Sequence, residues 1–273
     1  MQNFINYCEH LQSWQRALIL ALGLTFFWLL ELMIPLVRLQ YNKWQHASIN
    51  LFFTGTTIAV NFGLAFLLVY CCTLCTTHRF GIWYWLAIPL WAKVIIALFV
   101  LDLVGAYLIH YLQHHNKWLW MFHAIHHTDV TVDTTTANRH HPGESMLRAI
   151  FTAGAILISG APFGVVIIYQ ALSALLSQFN HANILLPKWL NVSIGWLVVT
   201  PSMHRVHHHY LLPLTNTNYG NIFSIRDKLL GTYASANVCD IQFGLDTHPL
   251  PSEHNSIKNL LHLPLQPYRP PTN

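Results

Sequence analysis

Three runs of this sequence, residues 17–37, 49–74 and 83–109, are each long and apolar enough to cross a bilayer as a helix, which takes about 20 residues. That constrains the fold more than any other feature. Inside lipid every backbone polar group must be satisfied within the protein, so such runs form helices. The first run carries Glu31 and Pro35 near its end, and Lys93 and Asp102 interrupt the third. A fourth apolar region, 147–176, is broken by Gly160-Ala161-Pro162. Each half is short for a crossing, so a helical hairpin dipping into the bilayer is expected there. Residues 185–199 are apolar but too short to span, which predicts an interfacial segment. Composition agrees: 9% of the 273 residues are charged, against about 25% in soluble domains, so much of the surface faces lipid.

Basic residues set an expected orientation. Arg38 and Lys43 lie between the first two runs, and Lys117, Arg139 and Arg148 follow the third. Three crossings put both groups on one side, and the positive-inside rule makes that side cytoplasmic. Arg16 and Arg79 fall on the other side. No basic block resembles a nucleic-acid tract, so no nucleic-acid partner is expected. The first run lacks a short apolar core followed by a cleavage site and reads as a retained anchor. Of the five cysteines, Cys71, Cys72 and Cys75 cluster at the end of an apolar run. No second pair completes a zinc site, so they read as a thiol cluster at a membrane end or a lipidation point.

Histidine is the second anomaly. Thirteen of the 19 histidines fall between His110 and His209, and they follow helical spacing. His110 and His114 are an i, i+4 pair. His123-Ala-Ile-His126-His127 and His204-Arg-Val-His207-His208 each give i, i+3 and i+4. Residues three and four apart share a helix face, so each motif turns its imidazoles in one direction. His115 and His209, five residues beyond the first histidine of their motifs, point about 100° away and are set aside. Residues 117–120 are expected to form the bend between the first two motifs. Neutral imidazole is a good ligand for iron, zinc, copper and nickel. Eight or more imidazoles exceed the needs of one ion, so two adjacent ions are the economical reading. A polyhistidine store, a pH sensor or scattered interfacial histidines would not require the repeated spacing.

These residues resemble the fatty acid hydroxylase and sterol desaturase superfamily over about residues 101–233. The resemblance is carried by Asp102 and His110, by His123-Ala-Ile-His126-His127, and by Asn138-Arg139-His140-His141-Pro142-Gly143-Glu144. It continues through Asn180-His181-Ala182-Asn183, Thr200-Pro201-Ser202-Met203-His204-Arg205-Val206-His207-His208, Asn218-Tyr219-Gly220 and Gly231-Thr232-Tyr233. It implies an all-α integral membrane protein whose transmembrane helices carry a cytoplasmic helical cap with a histidine-rich di-metal site. It implies ligation by His110, His114, His123, His126, His127, His204, His207 and His208, with His181 as a ninth ligand and His141 as a tenth. Ser177 stands where some lipid hydroxylases have a further histidine, and Arg226 where Trp is common. Asp102, Ala106, His110 and His114 form a stripe at i+4 steps. Asp102 is therefore expected to accept the other ring N–H of His110, or else to pair with Lys93 or a backbone donor. Glu144 and Asn138 are read as helix caps or as residues that orient ligands, Asp227 and Asn218 as turn or loop residues.

The implied activity is hydroxylation or desaturation of a lipid by two iron ions and dioxygen, with zinc as a substitute ion. The sequence shows no nucleotide fingerprint, haem attachment motif or ferredoxin cysteine pattern, so electrons are expected from a separate cytochrome, ferredoxin or reductase. The alternatives are a zinc-dependent membrane hydrolase and a non-enzymatic metal-binding membrane protein. The expected division is N-terminal transmembrane helices over 1–100, a catalytic domain over 101–235 including a membrane hairpin at about 147–180, and a C-terminal tail over 236–273 that is irregular from Pro249 onward.

Overall fold

The computed structural model describes residues 1–38 and 40–271. Among them the fold is all-helical, with pairing of the β type limited to isolated bridges at Pro35–Ile184 and Val198–Phe223. In chain order the helices are α1 (Gln2–Glu9), α2 (Ser13–Met33), α3 (Lys43–His78), α4 (Ile82–Trp85) and α5 (Leu90–Asp102). A π-helical segment (Leu103–Leu108) joins α5 to α6 (Ile109–His115). Then follow α7 (Lys117–His127), α8 (Pro142–Ser159), α9 (Phe163–His181), α10 (Lys188–Ile194), α11 (Pro201–His207) and α12 (Ile225–Leu229). Helices α13 (Pro251–His254) and α14 (Ile257–His262) close the chain.

Four helical stretches are long and apolar enough to cross a membrane: Ser13–Met33, Lys43–Trp85, Leu90–His115 and Phe163–His181. The chain is thus an integral membrane protein. Leu22, Phe26 and Leu29 of α2 and Phe62, Phe66 and Tyr70 of α3 stand exposed, as lipid-facing side chains do. The third span begins at Leu90 rather than near residue 83, because Trp83 lies in the separate turn α4. Helix α3 runs 36 residues, about 54 Å at 1.5 Å per residue, and outreaches the roughly 30 Å hydrocarbon core. It starts earlier than the apolar run because Asn42 caps it, accepting from Gln45 N, and because His46 and Asn50 find polar partners in the segment 129–139.

The fourth apolar region folds as a pair of helices, α8 and α9, and α9 is by itself long and apolar enough to cross a membrane, against the expectation that each half is too short. The turn between them is tight: Gly160 (φ +68°) backs onto Gly81 (φ +98°), and a Cβ on either would strike the other's backbone. The two arms hold α5 between them. Leu101, Ala155, Ile156, Val165 and Val166 form this core with Cys71, Cys72 and Cys75, which are buried as small apolar side chains.

The bend before α7 lies at Asn116 rather than over 117–120. Asn116 is extended, and its side chain accepts from Trp118 N and Leu119 N, so the next four residues are already helical. The tail is more regular than its Pro and Asn content predicts. Leu260 and Leu263 are buried against Trp120, Met121 and Ile125 of α7, and that burial orders α13 and α14.

Candidate metal centre

Helices α6, α7, α9 and α11 bring nine histidines together where the long helices end. They form two groups. His110, His114, His123, His127 and His207 make one, and His126, His181, His204 and His208 the other; within each, the ring nitrogens that face one another lie within 4.8 Å. Each HxxHH motif divides between the groups. On α7 the i, i+4 pair His123 and His127 joins the five-histidine group while His126 enters the four-histidine group. At α11 the roles are exchanged: His204 and His208 serve the second group and His207 the first. Near-parallel rings connect the groups, His123 on His126, His127 on His208 and His204 on His207, with centroids 5.2, 4.7 and 5.1 Å apart.

In the five-histidine group four of the outward nitrogens are held by acceptors, while His127 has neither ring nitrogen hydrogen-bonded. The Nδ1–H of His110 donates to the Tyr219 carbonyl (2.9 Å), that of His114 to Asn216 Oδ1 (3.1 Å), that of His123 to Glu144 Oε1 (2.8 Å) and that of His207 to the Thr217 carbonyl (2.7 Å). These bonds fix one tautomer and leave a lone pair on Nε2 facing inward. The Nε2 atoms of all five histidines are buried without a hydrogen-bond partner. Five buried unpaired nitrogens at one point would be a large cost unless an ion takes their lone pairs.

In the four-histidine group the nitrogens converge directly. His181 Nε2 lies 3.0 Å from that of His126, 3.1 Å from that of His204 and 3.3 Å from that of His208; the last two are 3.2 Å apart. Imidazoles bound to one ion at about 2.1 Å, at angles between square and tetrahedral, have nitrogens roughly 3.0–3.4 Å apart. His181 donates its Nδ1–H to the Ser177 carbonyl (2.7 Å), so its Nε2 is a lone pair. Both groups therefore fit a metal ion of imidazole-preferring type.

Electrostatics favour neutral ligands. Burial, followed by repulsion from neighbouring rings, holds His126, His127, His204 and His208 well below the ordinary imidazole range, and His207 falls to about 3. Burial raises the Glu144 carboxyl, but His140, His123 and Arg148 more than offset this, so its pKa lies below the ordinary range. Glu144 is thus a carboxylate bonded to His123 and to Arg148 Nε (2.9 Å).

Two expected site residues sit elsewhere. His141 belongs to neither group: its Nδ1 accepts from Gly143 N and caps α8, and its Nε2 donates to the Leu261 carbonyl. Asp102 does not reach His110. It forms a buried ion pair with Arg226, which also bonds the Phe99 carbonyl. The i+4 stripe fails because the π segment between them repeats at i+5 and shifts the register.

Other contributors carry little sequence signal. The carbonyls of Ser177, Thr217 and Tyr219 orient three ligands, and a carbonyl has no side-chain signature. Their framework was visible as loop residues. Asp227 accepts from Tyr219 N, Gly220 N and Thr232 Oγ1, and Asn218 donates to the Met203 and Ala234 carbonyls. Gly220 is required because a Cβ would come within 2.7 Å of Asp227 Oδ2. Arg139 braces α7, donating to the Ile125 carbonyl (3.0 Å) and to Asn50 Oδ1 (2.9 Å).

Comparison with known proteins matches the same region. Ornithine lipid hydroxylase OlsE of Rhizobium tropici is 30% identical over 145 residues, covering 53% of this chain and 43% of that protein. Alkylglycerol monooxygenase of Danio rerio is 30% identical over 155 residues, and that of Homo sapiens 29% over 153; each match covers 54% of this chain and 31% of the relative. The chain thus spans less than half the length of these relatives. No solved structure matches it. The family model described as fatty acid hydroxylase matches residues 94–232, which hold all nine clustered histidines, the π segment and the loop that orients them. The resemblance read from the histidine motifs is therefore borne out, and the chain belongs to the fatty acid hydroxylase family.

Proposed function

We propose that this chain is a membrane lipid hydroxylase that holds two iron ions, one in each histidine group, with the site facing the cytoplasm. The observation that carries this reading is the pair of abutting histidine groups, one of five and one of four, with inward lone pairs beside helices that enter the membrane. Two irons would supply activation of dioxygen. The protein's own residues do the rest. Glu144, Asn216 and the carbonyls of Ser177, Thr217 and Tyr219 fix the tautomers of five ligands. Burial keeps the rings neutral, and the apolar helices admit a hydrocarbon chain directly from the bilayer.

The proposed reaction inserts one oxygen atom of dioxygen into a C–H bond and releases the other as water, using two electrons and two protons. The electrons come from a separate cytochrome, ferredoxin or reductase. The relatives' names, which speak of an ornithine lipid and an alkylglycerol, point to lipids with a polar head and an alkyl chain, and we assign the substrate to that class. Residues 101–235 are the catalytic portion. Residues 1–100 anchor it in the membrane, and the C-terminal residues clasp α7.

The test is aerobic incubation of the purified, iron-loaded protein with a membrane lipid extract and a chemical reductant. A lipid gaining the mass of one oxygen, with matching oxygen uptake abolished by His207→Ala, is expected. Full loading of both sites with iron, but no oxygen uptake above the His207→Ala background with any extract, would overturn the proposal.

A further inference from the structure

We infer that the chain carries a second lipid site, behind the metal centre, that takes an anionic phospholipid of the bilayer. A cavity of about 1270 Å³ lies between α10, α11 and the segment 233–238. It exceeds the roughly 300–1,000 Å³ of ordinary small-molecule pockets. Ser202, Met203 and Val206 form its wall on α11. At 100° per residue Ser202 and Val206 lie at least about 100° around the helix from His204, His207 and His208, while Met203 lies beside His207. None of the nine clustered histidines lines the cavity, so it is distinct from the chamber that their nitrogens enclose.

Its position and charge name the occupant. Leu185, Trp189, Val192, Trp196, Leu229 and Leu230 are exposed around α10 and α12. Apolar residues with tryptophan in that arrangement lie at headgroup level in a bilayer. The lining is mainly apolar, suited to an acyl chain, and its charged members among the described residues are Lys188 and Lys228, with no Asp or Glu. Lys228 is held in place by the Gly195 carbonyl (2.7 Å) and lies over the Trp196 ring (4.4 Å). Lys188 is exposed at the start of α10. Two lysines beside an apolar cavity at the interface complement a phosphate headgroup whose chain enters the cavity. That chain would pack against the helix that presents His204 and His207 and leads into His208.

The test uses the full chain in phosphatidylcholine nanodiscs containing a minor fraction of phosphatidylglycerol, followed by release into detergent and native mass spectrometry. Phosphatidylglycerol should be retained selectively. Lys188→Gln should lower its retention about fivefold, the effect of one lysine near an anionic surface. Ala236→Trp, which fills the cavity wall, should abolish it while helical content stays unchanged. Equal retention of both lipids overturns the inference, as does undiminished retention in Ala236→Trp or recovery of a hydroxylated lipid in place of phosphatidylglycerol. If Ala236→Trp does not fold, the Lys188→Gln ratio decides alone. None of these readouts depends on the reaction proposed above.

Discussion

Removing the Glu144 carboxylate should empty one histidine group and spare the other. Its Oε1 accepts from His123 Nδ1 at 2.8 Å and from Arg148 Nε at 2.9 Å, and both Glu144 and His123 side chains are fully buried. Glu144→Ala leaves the ring N–H of His123 unpaired in a buried site, a penalty of about 1–3 kcal/mol. Losing the partner that orients a metal-binding histidine typically costs about 10–100-fold in metal affinity, or roughly 1.4–2.7 kcal/mol. The two figures agree, so a drop of that size is expected for the ion in the five-histidine group. In the four-histidine group the His181 ring is held by the Ser177 carbonyl instead, and affinity there should change little. Glu144→Gln keeps an acceptor but loses the charge, and should fall between the two. The assay is competition with a chelator, with elemental analysis of bound metal and circular dichroism as a folding control. A biphasic curve, in which one ion leaves early and one at the wild-type chelator concentration, is expected. If Glu144→Ala holds both ions within twofold of wild type, the assigned role of this carboxylate is wrong.

The division of the HxxHH motifs makes neighbouring residues separable. His126→Ala and His127→Ala should each lose one ion, from different groups, with affinity for it falling more than about 100-fold, beyond the range for outer partners. Mössbauer spectra of iron-loaded variants that show the same residual ion in both would contradict this. Asp102→Leu leaves the buried Arg226 cation unpaired and should cost about 3–5 kcal/mol, whereas Asp102→Leu with Arg226→Met should recover most of it; thermal unfolding in detergent distinguishes the two. His141→Ala removes a helix cap worth about 1 kcal/mol and should leave the metal content unchanged, so loss of an ion would return His141 to the ligand set.

The long helices and the histidine boxes were legible because both depend on local periodicity. Apolar runs of bilayer length and imidazoles at i, i+3 and i+4 leave their mark in consecutive residues. Partition within a box was not legible, since spacing says which rings share a face and not which of two ions each one meets. The displacement of Asp102 came from the π segment, whose sequence Leu103-Val-Gly-Ala-Tyr-Leu108 looks like ordinary helix. His141 has the spacing and chemistry of a ligand, and only the backbone of Gly143 and Leu261 shows that its nitrogens are engaged. The order in the tail depends on Leu260 and Leu263 meeting α7 from far along the chain, which no local pattern records. Arg226, which stands where Trp is common in the family, is explained by Asp102 once the two are seen together.

Because α7 and α11 each place ligands in both histidine groups, the spacing between the groups is written into two single turns of helix. Loops can swing and spans can tilt while that interval stays constant, since changing it requires unwinding a turn that carries its own hydrogen bonds. The pair of binding points therefore behaves as a gauge block: substrate, lipid and electron donor can rearrange around it without resetting the distance it defines.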